Sequence, residues 1–286
     1  QTNMSLWQKI PLLTREQVQG SYSDLCSDQI PPSHLPIFTS STSGSTGTPI
    51  QVQQTKLGNI IWQANTLRDH IWHERNMNGK LAIIRVFDEN SGVTEKGKKA
   101  RGWGPATRFY SNGDSFLLPI NTPIEKQADW LRDVDPDYVL TYPSNAFALA
   151  DYFDANNLPL SNLKEIRTLG ETLDMSTREH IKDVFGVKTT DVYSSQETGY
   201  IALQCPEHDH YHIQSESVFV EILDDNNRPC EAGETGRVVV TALHNYAMPL
   251  IRYEIGDYAE AGEPCPCGRN LPVINRVLGR SRNLIR

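Results

Sequence analysis

Helix-like and strand-like segments alternate along the chain from about residue 55 to residue 195, and this alternation most constrains the fold. Short strands are predicted at 81–87, 137–141, 166–169 and 188–192, and helices at 63–75, 124–132, 144–153 and 175–185. Strands separated by helices are typical of a parallel sheet whose faces the helices cover. We therefore expect an α/β fold in this part of the chain.

The pattern changes after about residue 198. Strands at 218–223, 237–242 and 250–253 are separated by turns, and the run Asp224-Asp225-Asn226-Asn227 is typical of a hairpin. The predicted fold class is thus a helix-covered, mostly parallel sheet followed by a smaller β-rich subdomain. The predicted boundaries are 1–198 for the α/β core, 199–278 for the β-rich subdomain and 279–286 for a terminal segment.

Composition excludes some classes of protein. With 286 residues the chain can bury a substantial core, and its formal net charge of −8 argues against a generic nucleic-acid binder. No apolar run approaches the roughly 18 residues of a membrane helix, so no membrane partner is expected. Five cysteines, mostly in the last third, do not suit a secreted disulfide scaffold. A cytoplasmic protein with a local metal site is expected instead.

The segment from Thr39 to Pro49 contains eight hydroxyl residues in eleven positions, together with Gly44 and Gly47. Glycines let backbone N–H groups approach an anion and hydroxyls add donors, so the segment predicts a phosphate-binding loop. It is not a Walker A loop, because no Lys-Ser/Thr pair follows the second glycine. A flexible Ser/Gly linker is the alternative.

A second group of residues predicts a metal site. The sequence Cys205-Pro-Glu-His208-Asp-His210-Tyr-His212 is followed by Cys265-Pro-Cys267. Three thiolates and one imidazole suit a tetrahedral Zn²⁺ and leave no open coordination position, so the zinc would be structural. Which histidine binds stays open, and buried thiols with surface histidines are the alternative.

Four segments in this order resemble the motifs of the adenylate-forming enzymes, which include acyl-CoA synthetases and luciferases. These are the Ser/Thr/Gly loop, Tyr193–Gly199 (aromatic-x-x-x-Glu-x-Gly), Tyr253–Asp257 (Tyr-x-x-Gly-Asp) and Gly279-Arg280. Within that superfamily, residues 7–14, 119–142 and 247–253 resemble the phenylacetate–CoA ligase and coenzyme F390 synthetase branch. His212 resembles that branch's His-Ile position, which favours it as the zinc ligand.

The resemblance implies that ATP and Mg²⁺ activate a carboxylic acid, an aromatic one in this branch, to an acyl-adenylate and pyrophosphate. The acyl group would pass to coenzyme A, to a carrier-protein thiol or to an amine. The implied catalytic residues are Glu197, Arg252 and Arg280. The implied nucleotide-binding residues are Ser43, Gly44, Ser45, Thr46, Gly47, Gly170, Glu171, Tyr193, Ser194, Ser195 and Asp257.

Within that set, Glu197 would bind Mg²⁺, Tyr193 would stack on adenine and Asp257 would accept hydrogen bonds from the ribose. Each has a structural alternative: a solvated glutamate, a core tyrosine and a turn aspartate. Arg252 could equally be a surface arginine at a strand edge, and Glu171 an acid at a helix start.

The acid is expected to contact Tyr142, Pro143 and Ser144, which follow a strand end. Ala148, Trp103 and Phe109 are further candidates, and simple core positions are the alternative for all of them. The family has a C-terminal domain that supplies a lysine, so residues 279–286 would start the hinge to that missing domain. The chain is expected to be the large core of a longer enzyme, with impaired adenylation. A nucleotide-binding module without turnover is the rival class; the oligomeric state, a homodimer included, stays open.

Overall fold

The structure, a computed structural model, describes residues 4–41, 50–108 and 110–280. The helices are α1 (Met4–Trp7), α2 (Arg15–Gly20), α3 (Tyr22–Leu25), α4 (Lys56–Trp72), α5 (Ile124–Val134), α6 (Pro143–Ala155) and α7 (Met175–Phe185). The strands are β1 (Ile37–Ser41), β2 (Gln51–Thr55), β3 (Leu81–Arg85), β4 (Lys98–Arg101), β5 (Asp114–Pro119), β6 (Tyr138–Thr141), β7 (Glu165–Leu169), β8 (Lys188–Ser195), β9 (Gly199–Gln204), β10 (Tyr211–Ile213), β11 (Val218–Leu223), β12 (Thr235–Ala242), β13 (Tyr253–Ala261) and β14 (Val273–Arg280).

These elements form two compact units. The α/β unit runs from Thr66 to Val192, and the β-rich unit combines the residues up to Asn65 with those from Tyr193 onward. The predicted boundary at residue 198 places the N-terminal residues in the α/β core. They join the β-rich unit because Val18, Ile50 and Val52 are buried in the same apolar core as its C-terminal strands.

The α/β unit contains a mostly parallel sheet in the order β8-β7-β6-β3-β5-β4. All neighbours are parallel except β4, which pairs antiparallel with β5 at the edge. The core combines strand residues with the inner faces of α5, α6 and α7, represented by Leu131, Phe153 and Ile181. This architecture confirms the predicted α/β class with a helix-covered, mostly parallel sheet, although the β-rich unit is the larger of the two and not the smaller.

The helix boundaries of this unit follow from local chemistry. The Asp174 side chain accepts a hydrogen bond from the Thr177 backbone N at 2.7 Å and starts α7. Gly186, at φ 67°, ends α7 in the left-handed conformation that favours glycine. Pro143 occupies the first turn of α6, where its missing N–H costs no helix bond.

The β-rich unit contains antiparallel strands in the order β11-β12-β13-β14-β10-β9, and β1 pairs with β2 separately. Strands β9, β10 and β14 have no counterpart in the sequence prediction. The strand expected at 250–253 instead begins at Tyr253 and runs to Ala261. Charged residues such as Glu254 and Glu260 interrupt its apolar alternation, so the sequence pattern does not predict its full length. No helix in the described ranges is long and apolar enough to cross a bilayer.

Candidate nucleotide and metal sites

The β1–β2 pair brackets the predicted phosphate loop. Ser41 and Gln51 face each other as register partners at its end. Residues 42–49 between them lie outside the described residues, so the predicted phosphate contacts Ser43, Gly44, Ser45, Thr46 and Gly47 stay predictions. What the structure establishes is the position of the loop's two ends, at one end of a two-stranded ribbon.

That ribbon contacts the turn that carries Glu197. The Ser40 hydroxyl donates to Oε1 of Gln196 at 3.1 Å, and the Gln54 side-chain amide donates to the Gln196 carbonyl oxygen at 2.7 Å. In the same turn, the Thr198 backbone N donates to the Ser195 hydroxyl at 3.1 Å. Strand β1 therefore ends beside the turn that carries the predicted Mg²⁺ ligand.

Glu197 is only 6% exposed, so the alternative of a solvated surface glutamate is wrong. Its Oε1 lies 3.3 Å from an Nη1 of Arg15, the first residue of α2. Nothing in the sequence around Arg15 marks it as a ligand or a site residue. No local pattern could have revealed it, because the two residues are 182 positions apart.

Asp257 joins two other motifs. The Tyr193 hydroxyl donates to Oδ2 of Asp257 at 3.0 Å, and Nε of Arg280 lies 3.2 Å from Oδ1. Burial raises the pKa of Asp257, against the opposing effect of Arg280 and the Tyr193 hydrogen bond, and Glu197 raises it further. Each carboxylate oxygen keeps a second lone pair, so Asp257 can still accept hydrogen bonds from a diol.

Tyr193 is 7% exposed and belongs to the apolar core of the β-rich unit. Burial first, and Asp257 second, raise its pKa well above the ordinary value, so the phenol stays protonated and donates. The core alternative therefore holds for most of the ring, while stacking on adenine stays a prediction. Ser194 and Ser195 follow it, partly exposed, at the end of β8.

Arg252 has a different environment from the one predicted. Its guanidinium forms two contacts with Glu221, at 3.1 and 3.0 Å, and donates to the carbonyl oxygens of Gln8 and Ile10 at 3.2 and 2.7 Å. At 2% exposure it is not the surface arginine of the alternative either. These contacts make Arg252 a buried anchor of the N-terminal segment.

In the α/β unit, the residues predicted to contact the acid lie at the carboxyl end of β6. Backbone N of Ser144, in the first turn of α6, donates to Oε2 of Glu171 at 2.9 Å. A Cβ added to Gly170, which has φ 78°, would lie 3.2 Å from Cε1 of Tyr142. The Tyr142 hydroxyl accepts a hydrogen bond from the backbone N of Val86 at 3.3 Å.

The ends of three adjacent parallel strands, β3, β6 and β7, therefore meet at Tyr142, which is where α/β sheets usually bind ligands. Glu171 is an acid at a helix start, as the alternative stated. The helix is α6, and Glu171 lies just after the neighbouring strand β7. Trp103 is core: it packs on Leu81 and Tyr138 at the opposite strand ends and donates to the Gly79 carbonyl oxygen at 2.9 Å. Phe109 lies outside the described residues.

A buried ionic network in the α/β unit was not anticipated. Arg75 contacts Glu165 through Nη2 at 2.6 Å and Asp69 through Nη1 at 2.6 Å, and Arg167 reaches the same Asp69 at 2.8 Å. All four are at most 8% exposed. Burial raises the pKa of Asp69, but Arg167 and Arg75 outweigh this effect and lower it well below its usual range.

The metal prediction is supported by geometry. Sγ of Cys205, Cys265 and Cys267 and a ring nitrogen of His212 all lie within 4.8 Å of one another. Sγ of Cys205 is 3.9 Å from Sγ of Cys265, close to the roughly 3.8 Å between thiolates on one tetrahedral zinc and far beyond a disulfide bond of about 2.05 Å. Nε2 of His212 lies 3.3 Å from Sγ of Cys267.

Of the three histidines left open, His212 is the one that joins the cysteines. Burial lowers the pKa of His212 to about 4, so its imidazole is neutral at pH 7, the form that ligates metals. His208 and His210 stack on each other with ring centres 5.1 Å apart. The remaining cysteines, Cys26 and Cys230, are free thiols away from this group.

No protein-family model matches the chain. It is similar to the phenylacetate-coenzyme A ligase of Thermus thermophilus, with 30% identity over 177 residues, which are 59% of this chain and 40% of that protein. It is also similar to the Pseudomonas putida protein of the same name, with 28% identity over 169 residues, 56% of this chain and 38% of the relative. The chain is a relative of the phenylacetate-coenzyme A ligases. It spans 38–40% of the length of the curated phenylacetate-coenzyme A ligases that it matches.

Solved structures extend the comparison beyond the phenylacetate-coenzyme A ligases. An open conformation of 2-hydroxyisobutyryl-CoA ligase in complex with 2-HIB-AMP and CoA aligns with a TM-score of 0.74 and 19% identity, covering 98% of this chain and 66% of that one. An anthranilate CoA ligase in complex with anthranoyl-AMP aligns with a TM-score of 0.61 and 14% identity, covering 87% and 48%. At these identities the likeness is one of fold, and the fold is that of the adenylate-forming ligases.

Proposed function

We propose that this chain uses ATP to activate a carboxylic acid as an acyl-adenylate, releasing pyrophosphate, and that the acyl group then passes to a thiol such as that of coenzyme A. The observation that carries the proposal is the group formed by Tyr193, Glu197, Asp257 and Arg280 in the β-rich unit. It brings three separate sequence motifs into electrostatic contact. The names of the relatives support the same reaction class.

The residues present fit a nucleotide. Asp257 is an anionic acceptor with free lone pairs, suited to the two ribose hydroxyls, and Tyr193 and Arg280 hold its orientation. Arg280 also donates to the Ile255 carbonyl oxygen, which keeps its guanidinium beside Asp257. The hydroxyl-rich segment that follows β1 in the sequence would contact the β- and γ-phosphates.

The donor set also fits Mg²⁺. Glu197 is a buried carboxylate whose contact in the structure is a guanidinium, so the position requires a cation and offers a hard oxygen ligand. When bound, Mg²⁺ would neutralise the charge that develops as two anions react. Glu197 would hold that ion, and the Ser40–Gln196 and Gln54–Gln196 contacts would keep its turn in place.

We propose an aromatic acid as substrate, because the curated relatives are named for phenylacetate. The acid would contact Tyr142, Pro143 and Ser144 at the strand ends of the α/β unit, with Gly170 leaving room for the Tyr142 ring. One structural neighbour is named for an aliphatic hydroxy acid, so the experiment must compare aromatic with aliphatic acids. Coenzyme A is the proposed acceptor of the acyl group. A carrier-protein thiol and an amine are the alternative acceptors that the experiment compares with it.

We further propose that Cys205, His212, Cys265 and Cys267 bind one structural Zn²⁺. The zinc would hold the segment around residue 205 against the segment around residue 265. Metal analysis should find one zinc per chain in the wild type and in Cys230→Ser, and a loss of zinc in Cys265→Ser. Removing the zinc with a chelator should lower the midpoint of thermal unfolding, and an unchanged midpoint would argue against a structural role.

The test of the main proposal is carboxylate-dependent exchange of labelled pyrophosphate into ATP. The panel should contain phenylacetate, benzoate, anthranilate, 2-hydroxyisobutyrate and acetate, on this chain and on any longer form of the same protein. Exchange should depend on one class of acid and fall about 10²-fold or more in Glu197→Gln, the size typical of a lost charge-stabilising group. Glu254→Gln, on the same unit, is the matched control and should keep the activity.

Two results would overturn this function. Exchange independent of added acid would exclude acid activation. Absence of exchange with every acid in every form, with ATP binding intact, would favour a nucleotide-binding module without turnover. Once an acid is identified, coenzyme A, a carrier-protein thiol and an amine can be compared as acceptors by product analysis.

A further inference from the structure

The N-terminal segment holds Arg15 in a defined position. The Leu13 backbone N donates to the Arg252 carbonyl oxygen, and the Glu254 backbone N donates to the Leu13 carbonyl oxygen, both at 2.9 Å. Thr14 then caps α2 with a complete capping box. Arg15 therefore follows a short β-bridge and starts a capped helix, so its backbone is fixed on both sides.

The guanidinium of Arg15 contacts Glu197 and keeps further N–H groups for other hydrogen bonds. Its Nη1 lies 3.3 Å from Oε1 of Glu197, and the side chains are 20% and 7% exposed. Nε of Arg15 is buried and has no hydrogen-bond partner among the described residues. Burial and then Glu197 raise the pKa of Tyr253, whereas Arg15 lowers it through its charge and a hydrogen bond, so the Tyr253 hydroxyl lies beside both groups. The guanidinium thus has donor capacity left for an anionic ligand.

Glu197 cannot serve two cations equally. A buried carboxylate needs a counter-charge, and in the structure Arg15 supplies it. A divalent cation coordinates oxygen at about 2.0–2.6 Å, closer than the guanidinium lies now, and would repel it. A displaced guanidinium is well suited to phosphate oxygens, which it recognises through a planar fork of donors.

We propose that Arg15 is a positioning residue that neutralises Glu197 in the nucleotide-free protein and transfers its guanidinium to a phosphate oxygen of the nucleotide when a divalent cation occupies Glu197. The inference rests on the proposed function, because it assigns the ligand of Arg15 within the same nucleotide site. The inference describes a charge exchange, in which a divalent cation replaces the Arg15 guanidinium at the Glu197 carboxylate. A purely structural ion pair is the competing explanation.

The test measures nucleotide binding by calorimetry, with a non-hydrolysable ATP analogue, with and without Mn²⁺. Without metal, Glu197→Gln should bind the analogue about tenfold more tightly than wild type, because Arg15 is no longer held. The double variant Arg15→Gln/Glu197→Gln should lose most of that gain. With saturating Mn²⁺, Arg15→Gln alone should bind the analogue about tenfold more weakly than wild type.

The matched control is Arg237→Gln. Arg237 pairs with Glu254 at 3.0 Å in the same unit and is 18% exposed, close to Arg15. Combined with Glu197→Gln, it should preserve the gain. Arg15→Lys keeps the charge without the planar fork, and it serves in place of Arg15→Gln if the latter does not fold; it should retain only part of the gain. Electron paramagnetic resonance should show bound Mn²⁺ lost in Glu197→Gln.

The outcomes separate the inference from the function beneath it. Equal gains in Glu197→Gln and in the double variant, with Mn²⁺ still dependent on Glu197, would overturn the role of Arg15 alone. Failure of the wild type to bind the analogue, with or without Mn²⁺, would overturn both the inference and the proposed function. A gain that depends on Arg15 but not on Arg237 supports the charge exchange.

Discussion

The hydroxyl of Tyr193 donates a hydrogen bond to Oδ2 of Asp257 across 3.0 Å, and so joins two motifs that lie 64 residues apart in the chain. The ring of Tyr193 belongs to the apolar core, and only its hydroxyl is polar. This hydroxyl lies where the core borders the candidate nucleotide site. Its burial ensures that the donor stays protonated. The apolar core of the β-rich unit thereby orients the carboxylate proposed to bind ribose.

Tyr193→Phe should weaken nucleotide binding without unfolding the protein. The loss of one hydrogen bond to a charged group costs about 1.5–3 kcal/mol, and part of this should appear as a several-fold higher Kd for ATP. Tyr258→Phe, next to Asp257 on β13, should leave the Kd unchanged, because side chains alternate between the faces of a strand. Calorimetric titration of both variants checks this, and an unchanged Kd in Tyr193→Phe would count against the positioning role.

Arg252→Lys should release the N-terminal segment. Lysine keeps the charge but cannot contact Glu221 twice and also reach the carbonyl oxygens of Gln8 and Ile10. Limited proteolysis should then cut within the first 20 residues faster than in wild type, and the free energy of unfolding should fall by about 2 kcal/mol or more. Exchange kinetics would show whether Arg252 also acts in catalysis: a lower kcat with an undisturbed N-terminus would support the catalytic prediction.

Arg75→Met should be among the most damaging single substitutions of the α/β unit. It removes the main partner of buried Glu165 and one of the two guanidinium groups that contact Asp69, so the free energy of unfolding should fall by about 3–5 kcal/mol. Lys164→Met breaks the exposed pair with Asp137 and should cost less than about 1 kcal/mol. Urea unfolding of the two variants measures the contrast, and similar losses would contradict a buried network.

The same network makes stability sensitive to mild acid. Burial first, and then Arg167 and Arg75, lower the pKa of His70 to about 3; burial and Arg75 lower that of His73 to about 4. Both are neutral in the folded protein, whereas the unfolded chain takes up protons below about pH 6.5. The free energy of unfolding should therefore fall as the pH drops from about 6.5 towards 4, and show no contribution from these groups above 6.5.

His73→Gln should reduce this slope by up to about 1.4 kcal/mol per pH unit, the value for one proton. Urea unfolding at several pH values measures it. The comparison at pH 7.5, where both histidines are neutral in either state, gives the cost of the substitution itself. A variant that keeps the wild-type slope between pH 6.5 and 4.5 would contradict a buried, neutral His73.

Local sequence determined the elements whose causes lie within a few residues. Thr14 and Gln17 form the capping box that starts α2, and the alternation of helices and strands predicts the α/β unit. The spacing of cysteines and histidines predicts a metal site, and the resemblance to the adenylate-forming enzymes implies that Glu197 and Asp257 belong to a nucleotide site. These features depend on backbone geometry, on turn chemistry and on residue type, which are read directly from the chain.

Only the tertiary structure decided which distant charges meet. Arg15 contacts Glu197 across 182 positions, and Arg252 contacts Gln8 across 244, because β13 brings the N-terminal segment to the C-terminal strands. The same packing places His212, and not His208 or His210, in the group with the cysteines. It also brings the residues up to Asn65 into the β-rich unit. Such pairs follow from strand order and core packing, and a buried charge takes whichever partner the folded chain brings within reach.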